Sequence, residues 1–233
     1  MNSNNKYFKK LKQLPIDKFF EDVLYNKNYG YYSKKIPFGE KGDFITAPSV
    51  SKLFGEILGI WIISFWENLE KPKNFNIVEL GPGNAELSKI LIETFKKFNE
   101  FNKKYNFYLY EKSNLLKNIQ KKKLYPNKVK WISSFKNLNK GPVLFVGNEF
   151  FDAIPIKQFK KKNGILFENF VYLDKNKTIK NKLVKTSLKN INKINDFSCL
   201  KNLNFIEYPD LAFKTIKPMI DKINKLGGGM LLV

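Results

Sequence analysis

Carboxylates, tyrosines, lysines and backbone groups must carry any chemistry in this chain, because its 233 residues include no histidine and one cysteine, Cys199. A Ser-His-Asp triad, a Cys-His pair, a histidine base and a His-ligated metal are thereby excluded. One cysteine forms neither an intramolecular disulfide nor a zinc or iron–sulfur cluster, so no metal is expected. Four groups of residues have types and spacing suited to chemistry.

The first is Ile77-Val78-Glu79-Leu80-Gly81-Pro82-Gly83. An apolar run reaches a glycine turn, and an amphipathic stretch follows. Bare backbone at Gly81, Pro82 and Gly83 lets a ligand come close, with a helix N-terminus nearby. Glu79 would repel a dinucleotide pyrophosphate but suits the cationic amino acid end of S-adenosylmethionine. The second is Glu111, at the end of the next apolar run, where a carboxylate can accept both ribose hydroxyls. It follows Gly81 by 30 residues, more than the roughly 20 typical of NAD sites. Each feature also has a plainer reading, as a tight turn and as a solvated strand-end charge.

The third group is Asn148-Glu149-Phe150-Phe151-Asp152, after a fourth apolar run. It combines one amide, two carboxylates and two apolar walls, or else it caps a helix with acids. The fourth is the early loop, with Tyr31 and Tyr32 followed by Gly42, Asp43, Phe44 and Thr46. Loops this long are uncommon without a task, and tyrosine faces can hold a cation. The plainer reading is an aromatic loop packed on the core.

These groups need elements to position them. Apolar periodicity predicts helices over residues 15–25, 51–69, 86–103 and 208–226, and strands over 75–80, 107–110, 129–132 and 143–146. Ser113 caps a helix reaching to about 123. Alternating strands and helices predict a parallel sheet with helices on both faces, the fourth strand beside the first. Residues 156–173 flank Asn163-Gly164, the strongest short hairpin signal, and predict an inserted antiparallel hairpin. Residues 174–197 read as a loop or a marginal helix, and 230–233 as the start of a fifth core strand. Four segments result: an N-terminal helical and lid extension (1–70), a cofactor core (71–155), a hairpin and substrate region (156–206), and a return helix with the fifth strand (207–233).

The net charge of +21 comes from 42 lysines, with arginine absent. A polyanion partner such as RNA is one reading. The other is coding bias, since lysine, asparagine, isoleucine and phenylalanine all have A/T-rich codons. Base-reading proteins rely on arginine forks, so nucleic acid is not the expected partner. The longest apolar run, residues 57–66, is about half of the ~20 needed to span a bilayer. No signal-peptide core is present, which predicts a soluble, intracellular chain.

The runs YGYYS…PFGEKGDFITAPSVSKLFGE, VELGPG and NEFFDAIPIKQF resemble the MidA-like methyltransferases, which include the mitochondrial arginine methyltransferase that assists complex I assembly. The resemblance implies an α/β, Rossmann-like class I methyltransferase fold, S-adenosyl-L-methionine as cofactor and transfer of a methyl group to protein arginine. It places Glu79, Gly81, Pro82 and Gly83 at the methionine end, Glu111 at the ribose, and Asn148, Glu149 and Asp152 at the transfer site. Gly42, Asp43, Phe44 and Thr46 would form a lid, with Tyr31, Tyr32 and Phe150 facing substrate. The implied partner is a protein, with a respiratory complex I subunit as a candidate, in the cytoplasm of a bacterium or the mitochondrial matrix of a eukaryote. RNA methylation and a non-catalytic assembly role are the rivals.

Two departures from the family pattern stand out. The glycine turn continues as Asn84-Ala85, where the family has a basic residue and another glycine. Relatives also extend beyond Val233 into further strands, so the C-terminal strands of the fold are expected to be missing here. The strand at Met230 would then be an open edge prone to self-association.

Overall fold

A computed structural model of the chain describes residues 13–34, 43 and 51–233. In chain order the elements are β1 (Leu14–Pro15), α1 (Ile16–Tyr25), α2 (Tyr31–Lys34), α3 (Lys52–Asn68), β2 (Phe75–Leu80), α4 (Glu86–Lys96), α5 (Asn99–Asn102), β3 (Tyr105–Tyr110), α6 (Asn114–Leu124), β4 (Val129–Ile132) and β5 (Val143–Gly147). Then follow β6 (Lys157–Lys162), β7 (Ile165–Leu173), β8 (Ile179–Lys185), α7 (Leu188–Asn195), β9 (Phe205–Tyr208), α8 (Asp210–Leu226) and β10 (Gly228–Leu232). The described residues fall into two compact units, one of 27–153 with 215–233, the other of those up to 26 with 154–214.

The first unit is built on a parallel sheet ordered β10-β5-β2-β3-β4. Its two central strands, β2 and β5, are buried along their whole length because both faces are covered. Phe75 and Ile77 of β2, Phe107 and Leu109 of β3, and Leu144 and Val146 of β5 face one side. There they meet Leu58, Ile62 and Trp66 of α3, Leu91 and Phe95 of α4, Phe101 of α5 and Leu124 of α6. Val78, Leu80, Val143 and Phe145 face the other side, against Phe135, Leu138 and Met219 of α8. Each such side chain contributes about 1.5–3 kcal/mol on burial, which holds the strand ends in fixed positions. β5 lies beside β2 in register from Asn76↔Val143 to Leu80↔Gly147. The glycine turn after β2 and the acidic segment after β5 therefore leave the sheet as neighbours, at the carboxyl ends where open α/β sheets bind ligands.

The second unit carries an antiparallel sheet ordered β1-β7-β6-β9, with β8 also paired to β7. The expected hairpin is its centre: Lys162 pairs with Ile165, and Asn163 and Gly164 make the two-residue turn at φ 48° and 74°. Lys157 on β6 joins Glu168 on β7 (2.7 Å) and Asp17 on α1 (3.2 Å), tying the helix to the sheet.

Three expected boundaries are corrected. The helix expected over 86–103 is two helices, α4 and α5. Phe101 stands six residues after Phe95, which a continuous helix would turn off the buried face; the break puts their rings 4.9 Å apart in the core. Residues 174–197, expected as a loop or a marginal helix, hold the short helix α7 and, unexpected, strand β8. Their apolar residues are few because β8 is largely exposed, and its stability comes from pairing with β7. Residues 205–208, part of them assigned to the return helix, form β9, and that helix begins at Asp210.

Candidate functional site

The turn after β2 is a run of left-handed conformations: Gly81 at φ 58°, Gly83 at 54° and Ala85 at 62°. L-residues pay about 1–2 kcal/mol for that region and glycine does not. Ala85, left-handed like the two glycines, opens α4. Glu79 is 3% exposed, and its carboxylate accepts a hydrogen bond from the Ser88 hydroxyl of α4. Burial pushes its pKa up to about 7, with the Ser88 bond pulling the other way.

Glu111, immediately after β3, is buried. Its Oε1 accepts the Ser113 N–H at 2.8 Å, and its Oε2 accepts the Gln120 side-chain amide at 3.1 Å. Burial raises its pKa, opposed by those bonds, a further backbone bond and Lys117. Gln120 is fully buried; the same nitrogen donates to the Gly83 carbonyl at 2.8 Å, and its Oε1 accepts the Trp131 indole N–H at 2.8 Å. Ser113 caps α6 by accepting the Leu116 N–H, and its hydroxyl reaches the Tyr32 carbonyl at 3.0 Å.

After β5, Asn148 is half-buried while Glu149 and Asp152 are exposed, in turns rather than a helix. Glu149 takes φ 52°, a strain of about 1–3 kcal/mol of the kind that clusters at functional sites. Its N–H donates to the Val233 carbonyl at 2.7 Å. Phe150 turns back over the glycine turn and lies 6.3 Å, centroid to centroid, from Tyr110 of β3. Asp152 comes close enough to Tyr32 for its charge to add to the burial that raises the Tyr32 phenol. The Tyr31 hydroxyl donates to Asp43, and burial together with that carboxylate pushes Tyr31 up to about 12. Gly42, Phe44 and Thr46 lie outside the described residues.

Glu79, Gly81, Gly83, Glu111, Phe150, Asp152 and Tyr32 are thus grouped at one end of one sheet. Gln120 belongs with them and escaped the sequence reading. Its signal is a polar residue inside the stripe Leu116, Gln120 and Leu124, all three buried.

The donor set fits a nucleoside ligand carrying a cationic amino acid. An ionised carboxylate offers about four acceptor positions, so Glu111 keeps capacity for hydroxyls after its bonds to Ser113 and Gln120. At Gly81 the space a side chain would take is filled by the Phe150 ring, so a ligand would meet the turn through its backbone groups. Among the described residues no cluster suits a metal, and no helix is long and apolar enough to cross a membrane. A groove of about 390 Å³ in the antiparallel unit, lined by Ile165, Leu166, Ile194, Leu200 and Ile206, shares no residue with this site and holds no carboxylate.

The fold matches a Burkholderia thailandensis structure described as a "likely methyl transferase" bound to S-adenosyl-homocysteine. The TM-score is 0.75 at 21% identity, covering 91% of this chain and 56% of that one. In sequence the chain is 32% identical to the human protein arginine methyltransferase NDUFAF7, mitochondrial, over 185 residues, which is 69% of this chain and 42% of that protein. It is 36% identical to the Caenorhabditis elegans homolog over 168 residues, 63% of this chain and 39% of that protein. The chain thus spans about two fifths of the length of these relatives. The family model described as "Putative S-adenosyl-L-methionine-dependent methyltransferase" matches residues 57–233, most of the chain and all of the glycine-turn site, and to that family this chain belongs.

Proposed function

We propose that this chain carries the cofactor and acceptor sites of an S-adenosyl-L-methionine-dependent protein arginine N-methyltransferase. The observation that carries the reading is the pairing of a left-handed glycine turn at residues 81–83 with the buried carboxylate of Glu111 on the adjacent strand end. When bound, the cofactor supplies an electrophilic methyl group on a sulfonium. The turn leaves backbone free for the amino acid end, Glu79 provides a carboxylate beneath it, and Glu111 receives the ribose hydroxyls.

The acceptor side belongs to Asn148, Glu149 and Asp152. A protonated guanidinium, with a pKa of about 12.5–13.8, is a poor nucleophile. Carboxylates at Glu149 and Asp152 fix its plane by bidentate hydrogen bonds and draw its charge from the attacking nitrogen. A guanidinium nitrogen that gains a methyl group must shed a proton, and one of these carboxylates would accept it. Tyr32 and Phe150 wall the acceptor from water. Protein arginine as substrate and a mitochondrial setting are taken from the names of the relatives, and a respiratory complex I subunit as partner from the resemblance to the MidA-like methyltransferases alone.

Titration calorimetry with S-adenosyl-homocysteine tests the cofactor reading: wild type binds, and Glu111→Ala loses about 10-fold or more in affinity, the scale of charged hydrogen bonds. Radiolabel transfer to arginine-containing protein tests the acceptor. Glu149→Gln with Asp152→Asn should cut turnover by about 100-fold. Labelled RNA in place of labelled protein would reject the arginine assignment.

A further inference from the structure

We propose that Gln120 is a positioning residue, its buried side-chain amide clamping the Glu111 carboxylate to the Gly83 carbonyl so that Glu111 presents acceptor oxygens to a ribose diol. The proposal rests on the cofactor reading above and adds a residue and a specificity to it.

Chemistry dictates the orientation of the amide. The Trp131 indole is a donor only and lies 2.8 Å from the Gln120 oxygen. The amide nitrogen must then face the other way, toward two acceptors, the Gly83 carbonyl at 2.8 Å and Glu111 Oε2 at 3.1 Å. Both functional ends of the amide are satisfied, and the side chain is fully buried. Reversing the amide would set its NH2 against the indole N–H and its oxygen against two acceptors. Such fully satisfied buried networks hold one geometry.

The clamp links three strand ends. Gly83 follows β2, Glu111 follows β3 and Trp131 lies on β4. Ser113 fixes the other carboxylate oxygen at 2.8 Å. With one oxygen held from the backbone and the other from Gln120, the carboxylate plane has little freedom to rotate. A pre-set acceptor pair favours a diol over a single hydroxyl, because the ordering cost is already met. Ribose discrimination is thereby a property of Gln120 as well as of Glu111.

The test compares binding of S-adenosyl-homocysteine and its 2′-deoxyribose analogue to the full chain, by calorimetry. Wild type should prefer the ribose form by about 10-fold or more, the scale of a charged hydrogen bond. In Gln120→Met, close in volume but without the amide, that preference should fall to within about 3-fold, with deoxy affinity nearly unchanged. A role limited to core stability would lower the melting temperature and leave the preference intact. Trp131→Phe, which keeps Gln120 but removes the donor that orients it, should reduce the preference partway and serves as the probe if Gln120→Met does not fold. A wild-type preference retained in both folded variants, or in Trp131→Phe where it alone folds, overturns the positioning role while leaving the cofactor reading in place. Wild-type protein that binds neither ligand overturns both.

Discussion

Phe150 occupies the space where a side chain at residue 81 would stand: a Cβ built on Gly81 comes within 2.8 Å of the Phe150 ring. The glycine after β2 and the aromatic after β5 are therefore a matched pair, one bare so that the other can close over it. Gly81→Ala adds a left-handed alanine, costing about 1–2 kcal/mol, and forces the ring away. We expect about 2 kcal/mol lost in urea denaturation and a more than 10-fold fall in S-adenosyl-homocysteine affinity. Gly81→Ala with Phe150→Ala should recover part of the affinity, and a double variant no better than the single would show that the ring is not the obstacle.

Glu79 gives stability a pH dependence of definite sign. Its carboxyl has an ordinary value of 4.5 and rises to about 7 in the folded protein through burial. Between those values the unfolded chain has released a proton that the folded protein retains. Stability from this group is fully present below about 4.5 and is lost as pH rises through about 7. The span corresponds to about 3 kcal/mol. Glu79→Gln keeps a partner for Ser88 but cannot ionise, so relative to wild type it should gain about that much between pH 4.5 and pH 8. Parallel denaturation curves across that range would place the Glu79 carboxylate in a wetter site.

Ala85 is fully buried at φ 62°. Glycine there would relieve about 1–2 kcal/mol of left-handed strain. It would lose a buried methyl worth about 0.8 kcal/mol and add about 0.5–1 kcal/mol of chain entropy. The terms nearly cancel, so Ala85→Gly should change stability by less than about 1 kcal/mol. Ala85→Val combines a β-branched residue at positive φ with an already filled site, and should cost about 3 kcal/mol or more in thermal unfolding.

Glu79, Gly81 and Glu111 were legible because each sits at or beside the end of an apolar run, and the parallel alternation places successive strand ends together. Asn163-Gly164 announced its hairpin for the same local reason. Gln120 was not legible: its partners at 83, 111 and 131 lie on or after three different strands and meet only when the sheet forms. The strained backbone of Glu149 is equally silent, since glutamate gives no sign of positive φ as glycine does. β8 was hidden because Ile179, Leu183 and Val184 are its only apolar residues, too few for a period, and its pairing with β7 is tertiary.

Tyr32 and Asp152 are 120 residues apart in sequence, yet the Asp152 charge adds to the burial that raises the Tyr32 phenol. A negative charge disfavours ionisation of a neighbouring phenol, so neutralising it should lower the Tyr32 value. Asp152→Asn removes the charge at nearly constant volume and leaves the burial untouched. Spectrophotometric titration of the phenolates, differenced against Tyr32→Phe to isolate one residue, should show the Tyr32 step moving toward 10 in Asp152→Asn and staying put in Glu149→Gln. Because the measurement needs no ligand and no turnover, it tests the juxtaposition at the acceptor end independently of which methyl acceptor is used. A Tyr32 step that ignores Asp152→Asn would separate the early tyrosines from the segment after β5, and with them the aromatic wall assigned to the acceptor.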